Sequence, residues 1–317
     1  MTIKEIAKLA GVSVATVSRV INNNGPVKEE TRQRVELVVK QYNYDTGTSK
    51  RRQINSKIVG IIVPTISNQF YTQVISGIEE ALNRNGYSAL FVSGANGDVR
   101  KYKKYLRMFM QEGVAGIISS AFNGQEIAVD VPLVIFDSAN IDDNIVRVVS
   151  DNKTGGKWCS DLLSNSAKNI LVQHLPLRYP TVRERIDALI AELEYKRLNY
   201  TLQEFEGVNL PKYETMVLPK VDFEKYDAII APNDLYALAL LRQALHRGFK
   251  VPEDFQLVGY DNNPFATFST PSLSTIDQQP FEIGQETASR LLQLIQGKSE
   301  TKNSVISVRA IKRESTL

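Results

Sequence analysis

Cysteine is nearly absent: the 317-residue chain holds one, Cys159. An internal disulfide is therefore excluded, and a reducing compartment suits the chain. Histidine is almost as scarce, with only His174 and His246, so no His/Cys metal-ligand spacing exists. Runs of about 18 or more apolar residues are missing, which argues against a membrane-spanning helix. The N-terminus, MTIKEIAKLAG, lacks the apolar core of a secretory signal. Catalytic motifs are missing as well. QGKSE (296–300) echoes a phosphate loop, but Leu292 stands where its first glycine belongs. VSVAT lacks the flanking glycines of a nucleophile elbow. Neither an enzyme nor a bound cofactor or metal is expected, and a cytoplasmic location is.

What is present is the composition of a globular protein, 43% hydrophobic and 23% charged, long enough for roughly two or three domains. The net charge of +3 conceals an uneven distribution. Residues 1–57 carry 11 Lys/Arg against 5 Asp/Glu, whereas the remainder carries 27 against 30. A basic head on a mildly acidic body suggests a polyanion partner at one end.

The head, 1–45, reads as three helices. Thr2 and Glu5 form a capping box that opens a first helix with Ile6 and Leu9 on its apolar side. Gly11 supplies a sharp turn and Ser13 an N-cap for a second helix, which buries Val17, Val20 and Ile21. A third helix, about 30–43, points Val35, Val38, Val39 and Tyr42 inward. Two short helices about a glycine turn make a helix-turn-helix. The second helix then has an outer face of Val14, Ala15, Thr16, Ser18 and Arg19. Small side chains there allow close approach to a major groove, while hydroxyls and the guanidinium can bond base edges or phosphates.

The stretch TIKEIAKLAGVSVATVSRVIN closely resembles the DNA-binding head of the LacI/GalR family of bacterial transcription repressors. The resemblance implies phosphate or sugar contacts for Thr2, Ser13, Thr16, Ser18, Asn22 and Thr31, and base-edge contacts for Val14, Ala15 and Arg19. Lys28 departs from the family, which usually has a serine there to cap the third helix. Residues 46–57 read as a basic linker. In the family this segment forms a hinge helix on DNA resembling PNALARSL, whose leucine wedges into the minor groove. Here Thr46 and Gly47 replace the proline and asparagine, and Gln53 falls near the leucine. Lys50, Arg51 and Arg52 suit phosphate contacts, with Ile54 an alternative wedge after a shift of register.

From 58 to 317 the texture is α/β. IVGIIVP (58–64), YSALFVS (87–93), VAGIISS (114–120) and PLVIFD (132–137) are β-rich runs separated by helical stretches. After VVSDN the pattern restarts with NILVQH (169–174), TMVLP (215–219), AIIAPND (228–234) and FQLVGYD (255–261). Two α/β halves with parallel sheets place a ligand in a cleft between them. This body resembles the periplasmic-binding-protein-like sensor of the same family, with SNQFY, VIFD, VSDN, RER, PND, VGYDN and TIDQ in matching order. The fold class expected is thus α plus α/β, a three-helix head, a linker and a two-lobed sensor.

The resemblance implies effector contacts from Asn68, Phe70, Tyr71, Asp137, Arg185, Asn233, Asp261 and Gln278. Carboxylates and amides can hold hydroxyls, Arg185 can fork across two oxygens, and the aromatics can face a sugar ring. Asn233 and Asp261 would equally serve as strand-end turn residues. Ser138 replaces a family arginine after FD, and Ala188 and Leu189 replace a glycine and an aromatic after RER, which opens the ligand to a different or phosphorylated sugar. The function expected is a homodimeric repressor of a sugar-utilisation operon, with operator DNA and a sugar or sugar phosphate as partners. A secreted sugar-binding protein is the rival reading, opposed by the head.

Overall fold

In the computed structural model, which describes residues 2–21, 25–42, 56–94, 98–120, 129–138, 145–206, 219–298 and 303–317, Thr2 and Glu5 bond reciprocally at the start of α1 (Ile3–Ala10). Gly11 closes α1 at φ 63°, a left-handed conformation open to glycine at little cost. Helices α2 (Val14–Ile21) and α3 (Glu29–Gln41) complete the head. Ile6, Ala7, Ala10, Val17, Val20 and Val35 form its core, with Val38 and Val39 packed at the margin. Two expectations fail here. Leu9 is 49% exposed and Tyr42 is 44% exposed. The core is filled by Ile6, three valines and two alanines, and these two side chains lie outside it.

A second compact unit begins at Lys57. Its chain order starts with β1 (Ile58–Val63), α4 (Gln69–Arg84), β2 (Ser88–Ser93), α5 (Val99–Glu112), β3 (Gly116–Ser119), β4 (Leu133–Phe136) and β5 (Val146–Ser150). It then crosses to α6 (Asn152–Asp161), β6 (Asn169–His174), α7 (Pro180–Tyr195), β7 (Asn199–Glu204), β8 (Ala228–Ile230), α8 (Asp234–His246), β9 (Gln256–Val258) and α9 (Pro264–Phe268). Strand β10 (Thr275–Asp277) leads to α10 (Pro280–Ile295), β11 (Ser304–Ile306) and β12 (Arg309–Ile311).

The first lobe is built on a six-stranded sheet in the order β11-β5-β4-β3-β1-β2 and the second on a four-stranded sheet, β7-β6-β8-β9. All strand pairs within both sheets are parallel. Central strands such as β1, IVGIIV, are buried on both faces and so read as continuous β-branched runs. The edge strand β7, NYTLQE, is mostly exposed and polar, which hid it from the sequence. The strand expected at 215–219 falls on residues outside the described ones, except for Pro219, which is in no strand.

The C-terminal segment returns to the first lobe. Ile283, Ala288, Leu291 and Leu292 of α10 join Val59, Val74 and Ile78 in one core. Two glycines permit this contact: a Cβ on Gly77 would lie 2.1 Å from the Phe281 carbonyl oxygen, and one on Gly284 would lie 2.1 Å from that of Val74. In the second lobe a Cβ on Gly156 of α6 would lie 2.1 Å from the carbonyl oxygen of Arg185 on α7. That approach sets the position of the arginine.

Candidate functional site

Ser13 starts α2 by accepting from the Thr16 amide at 3.1 Å, and the two hydroxyls lie 2.9 Å apart. With Val17 and Val20 turned inward, Val14, Ala15 and Arg19 are left exposed and Thr16 and Ser18 half-buried. The outer face of α2 is thus small side chains, hydroxyls and one cation. Thr2 is exposed at the start of α1 and Thr31 half-buried in α3. Asn22, Lys50, Arg51, Arg52, Gln53 and Ile54 lie outside the described residues.

In the body, the C-terminal strand ends and the crossovers bring together six of the eight residues expected at the cleft. From the first lobe, Tyr71 donates its hydroxyl to Asp137 Oδ2 at 3.4 Å. Asp137 follows β4 at φ 46°, and Asp261 follows β9 at φ 104°. Left-handed backbone at two non-glycine residues stores strain, a pattern that concentrates at functional sites. Asp261 accepts from Gln278 Nε2 at 2.6 Å and is also hydrogen-bonded by Asn68 of the first lobe.

A continuous relay reaches Arg185 from there. Gln278 Oε1 accepts from Ser150 Oγ at 2.8 Å, the Ser150 carbonyl from Asn152 Nδ2 at 3.1 Å, and Asn152 Oδ1 from Arg185 Nη2 at 3.0 Å. Arg185 Nη1 also donates to the Pro232 carbonyl at 3.4 Å, and its guanidinium carbon lies 3.5 Å from the Tyr260 ring centroid. Ser150, Asn152 and Tyr260 were missed as site residues. All three lie inside the motifs VSDN and VGYDN, but the motifs do not say what their side chains meet.

Burial governs the electrostatics. It pushes the Asp137 carboxyl up to about 7, with Arg185 opposing and Asp261 reinforcing. Asp261 is raised by burial to about 6, again against Arg185. Asp234, next to Asn233, is fully buried and raised well above the usual carboxylate range by burial and then by Asp261. It accepts from Thr275 Oγ1 and the Asn263 amide, both at 2.6 Å, and so locks the loops beneath Asp261.

The other two expected residues have their own local partners. Phe70 is 4% exposed, its ring packed edge-on against Tyr71 in the first-lobe core. Asn233 caps α8 by accepting from the Tyr236 amide at 3.2 Å. Asn68 likewise caps α4 through the Phe70 amide at 3.0 Å. Among the described residues no cluster of His, Cys, Asp and Glu could hold a metal ion, and no helix is long and apolar enough to cross a membrane.

A helix-turn-helix head and a two-lobed α/β body with a polar cleft define an effector-controlled, DNA-binding transcription regulator. Residues 2–46 match the model of the bacterial regulatory proteins of the lacI family, and 146–316 match the periplasmic binding protein-like domain. The chain belongs to the LacI family. The ribose operon repressor of Bacillus subtilis (strain 168) is 35% identical over 93% of this chain and 91% of that one. The crystal structure of a periplasmic binding ribose operon repressor protein from Lactobacillus acidophilus superposes with a TM-score of 0.75 at 44% identity, covering 83% of this chain and 99% of that one. A LacI-type regulator from Alkaliphilus metalliredigens complexed with D-xylulofuranose gives 0.75 at 29% identity, over 83% and 100%. The protein is a DNA-binding repressor under effector control, not an enzyme.

Proposed function

We propose that this chain is the cytoplasmic, homodimeric repressor of a pentose-utilisation operon, with D-ribose as its first-choice effector. The observation that carries this reading is the convergence of Tyr71 and Asp137 from one lobe with Arg185, Asp261 and Gln278 from the other side of the cleft. Two carboxylates, an arginine and a phenol offer alternating acceptors and donors to a ring of hydroxyls. The two similar proteins named for the ribose operon favour ribose.

An uncharged sugar suits the cleft better than its phosphate. Burial already holds Asp137 and Asp261 partly protonated against Arg185. A phosphate would add about 1.5 to 2 negative charges beside them.

Thr2, Ser13, Thr16, Ser18, Asn22 and Thr31 hold the DNA backbone in this reading, and Val14, Ala15 and Arg19 read base edges. Two heads about 34–36 Å apart would span a palindromic operator. Residues 46–57 act as the linker between reader and sensor. Support for self-association comes from Leu245, Phe265 and Phe268, large apolar side chains left exposed on α8 and α9.

The test is a thermal-shift panel of D-ribose, D-xylulose, sucrose, fructose and their phosphates, followed by gel shift on an operator palindrome. A native-state ligand raises apparent stability by mass action. Ribose should stabilise the protein and alter operator binding. Stabilisation by a phosphate ester and not by its parent sugar would reject the uncharged effector.

A further inference from the structure

Behind Arg185, inside the second lobe, lies a small chamber between α7 and the ends of β6 and β8, with a volume of about 30 Å³. Most of its wall is apolar, from Val182, Ile186, Leu189 and Ile230. Four polar side chains break that pattern; one, His174, is paired through Nδ1 with the Leu175 carbonyl at 2.9 Å. Tyr260 Oη, Gln173 Oε1 and Arg185 Nε are all buried and none has a partner within full hydrogen-bond distance and angle, although the Arg185 side chain lies close enough to the Tyr260 hydroxyl to favour its ionised form. Tyr260 and Gln173 are each 1% exposed. Such groups are costly to leave unpaired, on the order of 1–3 kcal/mol each. All three belong to side chains that line one chamber and together form a set: a donor that also accepts, an acceptor and a cationic donor.

We propose that this chamber is a binding site for two ordered water molecules, and that through them Tyr260 and Gln173 are positioning residues for Arg185. A buried water needs roughly 10–15 Å³ and two to four polar partners, so the volume and the three groups suit about two. The guanidinium would then be held on every side: by Asn152 and Pro232 through its Nη atoms, by the Tyr260 ring beneath, and by water at Nε. Gly155 makes the arrangement possible, since a Cβ there would lie 2.1 Å from Tyr260 Oη. The positioning role rests on the reading of Arg185 as an effector contact; the water site does not.

A high-resolution crystal structure with and without xenon tests the site directly. Expected are two waters bridging Tyr260 Oη, Gln173 Oε1 and Arg185 Nε, with no xenon bound. Xenon in the chamber, or no water density, would overturn it. The positioning role is tested with D-ribose calorimetry on Tyr260→Phe and Gln173→Leu, alone and on an Arg185→Lys background, which lacks Nε. Each variant should weaken ribose binding roughly tenfold beside Arg185 and far less beside lysine. Each should also shift the Arg185 Nε–H resonance. Equal losses on both backgrounds, or an unmoved resonance, would show a merely structural role. Ribose binding unchanged in Arg185→Ala would reject Arg185 as an effector contact, and the positioning role with it, while the crystal still decides the water site.

Discussion

The Tyr71 hydroxyl donates to Asp137 Oδ2 at 3.4 Å, tying the first turn of α4 to the end of β4. Asp137 holds its proton up to about pH 7 against an ordinary value of 3.8, because burial outweighs the Arg185 charge. Between those two values the folded protein retains a proton that the unfolded chain has released. Stability therefore falls as pH rises through that window. Asp137→Asn should flatten the fall and raise the melting temperature above wild type near about pH 8. Scanning fluorimetry across the window checks this; an unchanged slope would show that Asp137 ionises freely.

The same linkage governs the effector. A sugar hydroxyl that donates to ionised Asp137 favours the deprotonated form, so ribose affinity should rise with pH up to about 7 and then level off. Calorimetry in two buffers of different ionisation enthalpy should show proton release on binding near neutral pH. Proton uptake would place the sugar on the neutral acid instead.

Packing of α10 on α4 gives a stability prediction. Gly284→Ala places a methyl 2.1 Å from the Val74 carbonyl oxygen, and backbone cannot rotate out of the way as a side chain can. The cost should be about 1–3 kcal/mol, with ribose and DNA contacts untouched. Denaturant unfolding measures it. A neutral substitution would mean the helices separate freely.

How much of this was legible beforehand depends on burial. The strands β1, β3 and β4 announced themselves because both faces are covered, whereas the polar edge strand β7 carried no such run. Helical spacing put Leu9 and Tyr42 inward, but spacing alone does not show that the three-helix core is already filled by Ile6 and by alanines and valines. The cleft motifs pointed to Asn68, Tyr71, Asp137, Arg185, Asp261 and Gln278, which the fold brings together. They did not show that Asn68 and Asn233 also cap helices through Oδ1. The return of α10 and β11 to the first lobe, and the Arg185–Tyr260 stack, depend on contacts between distant segments that no local pattern encodes.

On the head, Arg19 is exposed beside Val14 and Ala15, two side chains too small to keep it from a groove floor. Arg19→Ala should cost roughly 1–3 kcal/mol of operator affinity if the guanidinium bonds a base edge bidentately. Competition binding on operator and on random DNA separates the roles. Equal losses on both would assign Arg19 to phosphate.

The linker offers the sharpest contrast with other members of the family. Gly47 and Thr48 are weak helix formers, and Gln53 is a poor wedge between base pairs. Lys50, Arg51 and Arg52, three successive cations, instead match phosphates. Each phosphate neutralised releases condensed counterions and steepens the fall of log K with log salt by about 0.9. Replacing all three with alanine should therefore flatten that slope by up to about 0.9 per lost contact in each half-site, while Gln53→Ala leaves operator affinity nearly unchanged. Titrations at several salt concentrations, paired with a bending assay, check both. An unchanged slope in the triple variant, together with lost bending in Ile54→Ala, would assign the linker a wedge at Ile54 and remove the three cations from the backbone.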